Sequence, residues 1–135
     1  MTASAKVLLI FGALSAAASV VLGAVGAHRA ASAPETHTLF QTALHYHQFH
    51  AIGLLIVGVM VVIFPLNRFP ASRWFVGAGG LMILGTCLFS GNLYLRSLAD
   101  IHFFHALTPF GGGAFILAWL LFAYGVAVGA RSAPD

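Results

Sequence analysis

The chain has 135 residues, 60% hydrophobic and only 7% charged, against roughly a quarter charged in ordinary soluble domains. Six Lys and Arg with three Asp and Glu cannot cover the surface of a water-soluble globule of this size, so the composition points to lipid. The net charge of +3 comes without any run of Lys or Arg, which argues against nucleic acid as a partner. A single cysteine, Cys87, rules out an intrachain disulfide and reads as a small inert hydrophobe facing lipid or a neighbouring helix.

The first apolar run, about Val7 to Ala27, carries no charge between Lys6 and Arg29. Its lysine, its apolar stretch and Ala16-Ala17-Ala18 resemble a secretory signal. The run is long for a signal core, so a retained helix is expected. A second run, Phe49 to Phe64, is closed by Pro65, Asn67 and Arg68, with a helical lead-in from about Leu39. The third covers Trp74 to Leu95 and the fourth about Leu107 to Val128. Each is near the roughly 20 residues that cross a hydrocarbon core. The expected fold is an all-α membrane protein with one domain over 1–135. It is an antiparallel four-transmembrane-helix bundle with helices at about 5–28, 40–64, 73–97 and 105–129.

Counting Lys and Arg orients it. With the N-terminus inside, Lys6, Arg68, Arg73 and Arg131 are cytoplasmic, and Arg29 and Arg96 are outside. The positive-inside rule then places both termini in the cytoplasm. Trp74 and Tyr94 suit opposite interfaces of the third span, and Trp119 falls mid-span. The small-residue pairs Gly23 with Ala27, Ala114 with Ala118 and Gly125 with Gly129 let backbones approach closely in lipid. They serve packing within the chain or contact with another protein.

Seven histidines, His28, His37, His45, His47, His50, His102 and His105, all fall at one side of this topology, at the outer interface or in the outer connections. His47 with His50, and His102 with His105, share helix faces at i and i+3. Each pair suits a transition metal, or opposed imidazoles suit a haem iron, with His28 close by. Three readings fit: interfacial histidines bonded to headgroups, water or helix ends; a metal or haem site; and a polar pocket that responds to protons or a ligand. No HExxH or CxxC motif is present. No Asp, Glu, Lys or Arg occupies the middle of any span, where a proton or ion pump places an ionisable group, so active transport is disfavoured. The loop carboxylates do not assemble a hydrolytic set, and no enzyme is expected.

Four segments in order carry a family resemblance. They are Gly23-Ala24-Val25-Gly26-Ala27-His28, Thr42-Ala43-Leu44-His45-Tyr46-His47-Gln48-Phe49-His50, Phe89-Ser90-Gly91-Asn92-Leu93-Tyr94 and Thr108-Pro109-Phe110-Gly111-Gly112. Together they resemble the signatures of domain-of-unknown-function family 423. The resemblance implies a small multi-pass bacterial inner-membrane protein and brings no established catalytic residue. His28 and His50 fall on family motif positions. His47 stands where the family usually carries Gln, and His45 and His105 also depart from its pattern, which weakens a four-histidine metal site as a common function.

The motif positions suggest instead a structural polar network of His28, Tyr46, His50, Ser90, Asn92, Tyr94 and Thr108 near the outer helix ends. Pro109 is tolerated near a helix start. The functional expectation is a non-enzymatic inner-membrane protein without a cofactor. It acts structurally, as a lipid-interacting element, or as an accessory subunit of a larger membrane complex or homo-oligomer. The alternative is a transition-metal- or haem-binding protein using His47, His50, His102 and His105. A third possibility is a small-molecule or quinone pocket lined by Tyr46, Phe49, Tyr94 and Phe104.

Overall fold

The computed structural model describes residues 1–28, 34–102 and 105–130. These form α1 (Ala3–His28), α2 (Pro34–Ile63), α3 (Ser72–Gly85), a π-helical turn (Thr86–Gly91), α4 (Asn92–Ala99), a short 3-10 turn (His105–Leu107) and α5 (Thr108–Ala130). No strand occurs among the described residues. The segment from α3 to α4 runs on as one span, Ser72–Ala99, so among the described residues four helices are long and apolar enough to cross a membrane. Arg29, Phe104 and Arg131, which entered the expectations above, lie outside the described residues.

α2 begins at Pro34 rather than near residue 40. Proline fits a helix's first turn, where its missing N–H is not needed, and Glu35 beside it faces the positive end of the helix dipole. The polar residues that follow are accommodated within the helix. The Thr38 and Thr42 hydroxyls donate back to the carbonyls of Pro34 and Thr38, each at 2.9 Å. At the other end of α2 the chain turns at Pro65, whose carbonyl accepts from the amides of Arg68 and Phe69 at 2.9 Å. The Ser72 hydroxyl donates to the Phe64 carbonyl, tying the start of α3 to the end of α2.

The helices form a rhombus rather than a closed square. α1 packs along α2 and α5 along α3, while α2 also meets α3 and α4. α1 touches α3 lightly, and no extensive interface joins α1 to α5 among the described residues. Leu8, Leu54, Val57, Val61, Phe75, Met82 and Ala118 make the shared core. The two outer helices turn broad apolar faces outward. Val7, Ile10, Leu14, Val20 and Val21 on α1, and Phe110, Ile116 and Leu120 on α5, are each more than half exposed.

Small residues bring the paired helices together. The buried residues of α1, namely Ala5, Leu8, Gly12, Ser15, Ser19 and Gly26, recur at steps of three, four or their sum, a seam facing one partner. A methyl group built on Gly58 of α2 would stand 2.7 Å from Leu9 Cδ2 and 3.3 Å from the Leu9 amide nitrogen. On the other pair, a methyl on Gly125 would lie 2.9 Å from Phe75, and Ala114 and Ala118 are buried. These pairs therefore serve packing within the chain, whereas Ala27 is exposed. The closest approach to backbone is at Gly111, where a methyl would fall 2.5 Å from the Phe89 amide nitrogen in the π turn. Glycine is required there because the obstacle is backbone, which cannot swing aside.

Candidate functional site

The polar side chains of the interior gather toward the end of the bundle opposite the N-terminus, and α2 supplies the centre of the set. Its residues 47 and 50 sit three apart, which on a helix separates their directions enough to reach different neighbours. His47 turns toward α1 and α4. Its Nε2 lies 2.7 Å from Ser15 Oγ and its Nδ1 lies 3.3 Å from the Tyr94 hydroxyl. Hydroxyls both donate and accept, so either tautomer of His47 satisfies this Ser15–His47–Tyr94 chain. The Tyr94 ring also meets Phe40 edge-on at 5.4 Å.

His50 turns toward α5. Trp119 Nε1–H donates to His50 Nε2 at 3.2 Å, and His50 Nδ1 lies 2.8 Å from the Tyr46 carbonyl oxygen. An indole N–H only donates and a carbonyl only accepts, so the imidazole is the neutral tautomer with its proton on Nδ1. Its ring stacks on Phe115 with centroids 3.5 Å apart and planes within 12°. Both nitrogens are thus committed to the helices themselves.

A third connection joins the third span to α5, where Asn92 Nδ2 donates to Thr108 Oγ1 at 2.9 Å. Thr108 opens α5 and Pro109 follows it in the first turn, as the sequence led one to expect. Ser90, in the π turn, is fully buried, and its hydroxyl meets no hydrogen-bond partner among the described residues. Pi turns of this kind occur often at functional positions. Here the turn coincides with the place where Gly111 presses on Leu88 and Phe89.

Among the described residues the hydrogen bonds found for the expected network fall into three connections. Tyr94 belongs to the first, with His47, while His50 and the Tyr46 carbonyl belong to the second and Asn92 and Thr108 to the third. His28 is exposed at the end of α1 and joins none of the side-chain bonds described among these residues. The four-imidazole ligand set does not assemble. His47 and His50 face different helices, His105 is exposed, and exposed His102 lies 2.8 Å from Asp100 Oδ1. Among the described residues no three of His, Cys, Asp and Glu come together as metal ligands would. The described donors therefore do not converge as the four-histidine metal site would require.

The expected aromatic pocket is divided as well. Tyr46 and Phe49 line a crevice of about 260 Å³ between α2 and α5, completed by His50, Phe89, Phe115 and Trp119. Tyr94 lies on the far side of α2 with His47, and Phe104 is outside the described residues. Sequence reasoning did not single out Ser15 or the indole of Trp119. The available signal for Ser15 was its spacing from Ser19 in an otherwise apolar helix. Ser19 itself bonds back to the Ala16 carbonyl at 2.7 Å, the common fate of a serine in such a helix.

The family model described as "Protein of unknown function (DUF423)" matches residues 22–112. The chain is 38% identical over 118 residues to the UPF0382 membrane protein YwdK of Bacillus subtilis, covering 86% of this chain and 92% of that protein. It is 36% identical over 118 residues to the UPF0382 membrane protein SH2409 of Staphylococcus haemolyticus, covering 86% and 91%. It is 35% identical over 125 residues to the UPF0382 inner membrane protein YgdD of Escherichia coli K12, covering 90% of each. No solved structure matches the chain.

Proposed function

The chain belongs to the DUF423 family, and from that footing we propose that it is a multi-pass inner-membrane protein that works through packing rather than chemistry. It acts as a lipid-interacting element or as an accessory subunit of a larger membrane complex. Relatives bear the names membrane protein and inner membrane protein, and the four apolar helices agree with that setting. Both termini face the cytoplasm in this proposal, because Lys6, Arg68 and Arg73 share the end that carries the N-terminus while Arg96 lies at the other.

The observation that carries the proposal is where the interior polar groups are spent. Ser15, His47, Tyr94, His50, Trp119, Asn92 and Thr108 bond to one another across helix seams, and His50 also bonds the Tyr46 carbonyl within α2. The surfaces left without protein cover are apolar, on the flanks of α1 and α5 and along Ile52, Ile56 and Val59 of α2. A protein so arranged offers other molecules its sides.

The test is gentle solubilisation of the tagged chain at native abundance, followed by mass determination and identification of co-purifying species. A membrane-protein partner in fixed stoichiometry is the expected outcome for the accessory form. Recovery of the chain alone with bound lipid leaves the lipid-interacting form. Turnover of a substrate by the isolated chain would overturn both.

A further inference from the structure

The end of the bundle that brings together the start of α1, the loop 64–71 and the end of α5 carries Lys6, Arg68 and Arg73. Among the described residues it holds no carboxylate, since Glu35 starts α2 and Asp100 ends α4 at the opposite end. The one ion pair among the described residues, His102 with Asp100, is also at that opposite end. These cations therefore meet no acidic counterpart from the described protein.

A crevice of about 490 Å³ opens here between α1 and the 64–71 loop. Its lining changes character along its length. Val61, Val62 and Pro65 form an apolar wall on the span side, and Thr2, Asn67 and Arg68 form a polar rim on the loop side. Lys6 does not line the crevice itself, but its amide bonds the Thr2 carbonyl at 3.1 Å, so it stands one turn above the rim residue Thr2 on the same side of the helix. Arg73 is different. Its guanidinium lies 5.1 Å from the centre of the Trp74 ring, and it does not line the crevice.

A phospholipid makes the same change of character over the same few ångströms, from acyl chain to glycerol to phosphate. Guanidinium is the side chain best shaped to take a phosphate by two parallel bonds. An excess of positive charge on the rim favours a headgroup with net negative charge over one that carries its own ammonium. A free phosphate would match the rim and leave the apolar wall uncovered. We propose that this crevice is a binding site for an anionic phospholipid, with the headgroup phosphate held by Arg68 with Lys6 and Asn67, and an acyl chain laid along Val62 and Pro65. The proposal deepens the lipid-interacting form of the proposed function and rests on it.

The experiment is native mass spectrometry of the purified chain mixed with equal phosphatidylglycerol and phosphatidylcholine, repeated after reconstitution in nanodiscs of the same composition. Each basic side chain near an anionic surface contributes about fivefold in affinity. Phosphatidylglycerol is therefore expected to be retained about fivefold or more over phosphatidylcholine. Arg68→Ala removes most of that preference, Arg68→Lys keeps part of it, and Arg73→Ala leaves it nearly intact. Lys6→Gln removes the charge one turn from the rim on another helix, so a misfolded Arg68→Ala does not decide the matter.

Three results would overturn the site. They are equal retention of the two lipids, an Arg73→Ala effect as large as that of Arg68→Ala, or displacement of phosphatidylglycerol by millimolar inorganic phosphate. The first means no preference, the second a diffuse basic field, and the third a phosphate site without a lipid. None of them touches the partner measurement above, so loss of this site and loss of the packing role are told apart.

Discussion

α2 meets α1 and α5 in two different ways. Toward α1 it offers small residues, and Gly58 takes the side chain of Leu9 so closely that His47 reaches Ser15 directly at 2.7 Å. Toward α5 it offers rings. Tyr46, Phe49 and His50 meet Phe115 and Trp119, with a crevice of about 260 Å³ left between them. Lipid tails are as apolar as leucine, so no hydrophobic force closes a seam inside the bilayer. Where side chains are small, dispersion and a hydrogen bond act at short range and the seam is tight. Where they are large and flat, the helices stand apart and the gap is filled by stacking.

The steepest test of that contrast lies in the other tight seam, between α5 and the third span. Gly111→Ala places a methyl 2.5 Å from the Phe89 amide nitrogen and 2.8 Å from Phe89 Cβ. Backbone cannot move out of the way, so the helices must part. A loss of about 3 kcal/mol is expected, the upper part of the usual overpacking range. Gly113→Ala, two residues along the same helix, meets nothing within 4 Å and should cost little or gain slightly from helix propensity. Reversible unfolding in bicelles measures both. Equal effects would mean that close approach does not hold this seam.

The four spans were legible because each is a long apolar run between charged or proline-bearing connections. The early start of α2 was harder to see. Residues 34–48 are rich in Thr, His and Gln, and a polar segment declares itself helical only once its hydroxyls are found bonded back along the helix. The π turn at Thr86–Gly91 left no mark in the sequence; it lies where α5 comes closest, at Gly111. For the histidines, i and i+3 spacing showed nearness but not aim. A difference of that size in direction is enough to send His47 to α1 and His50 to α5. Tyr94, Asn92 and Thr108 were found through the motifs they sit in, while Ser15 and Trp119 had no such context.

The next test concerns the hydrogen bonds of the tight seam. His47→Leu keeps apolar volume and removes the links to Ser15 and Tyr94. Hydrogen bonds between helices in lipid average about 0.6 kcal/mol each, with a maximum near 1.7. The expected loss is therefore roughly 1–2 kcal/mol, less than that of Gly111→Ala. Combining it with Ser15→Ala isolates the pair, and a coupling of about 0.6 kcal/mol is expected from the double-mutant cycle. Strict additivity of the two changes would mean that Ser15 and His47 are neighbours without an energetic bond.

The smallest effect belongs to the ring-filled crevice. Trp119→Phe keeps an aromatic ring against Phe49 and His50 and removes the only feature of Trp119 that donates a hydrogen bond. The His50 Nε2 lone pair is then left facing apolar groups, which alone would be costly in a closed core. This seam is not closed. It opens sideways along exposed Phe49 and Ile116, and neighbouring rings can turn into the added space. The expected loss is about 0.6 kcal/mol, the mean for one such bond, by the same unfolding measurement. A Trp119→Phe loss larger than that of His47→Leu would reverse the comparison. The wider seam would then be the one that depends on a single fixed contact, and the glycine-lined seam the one able to adapt.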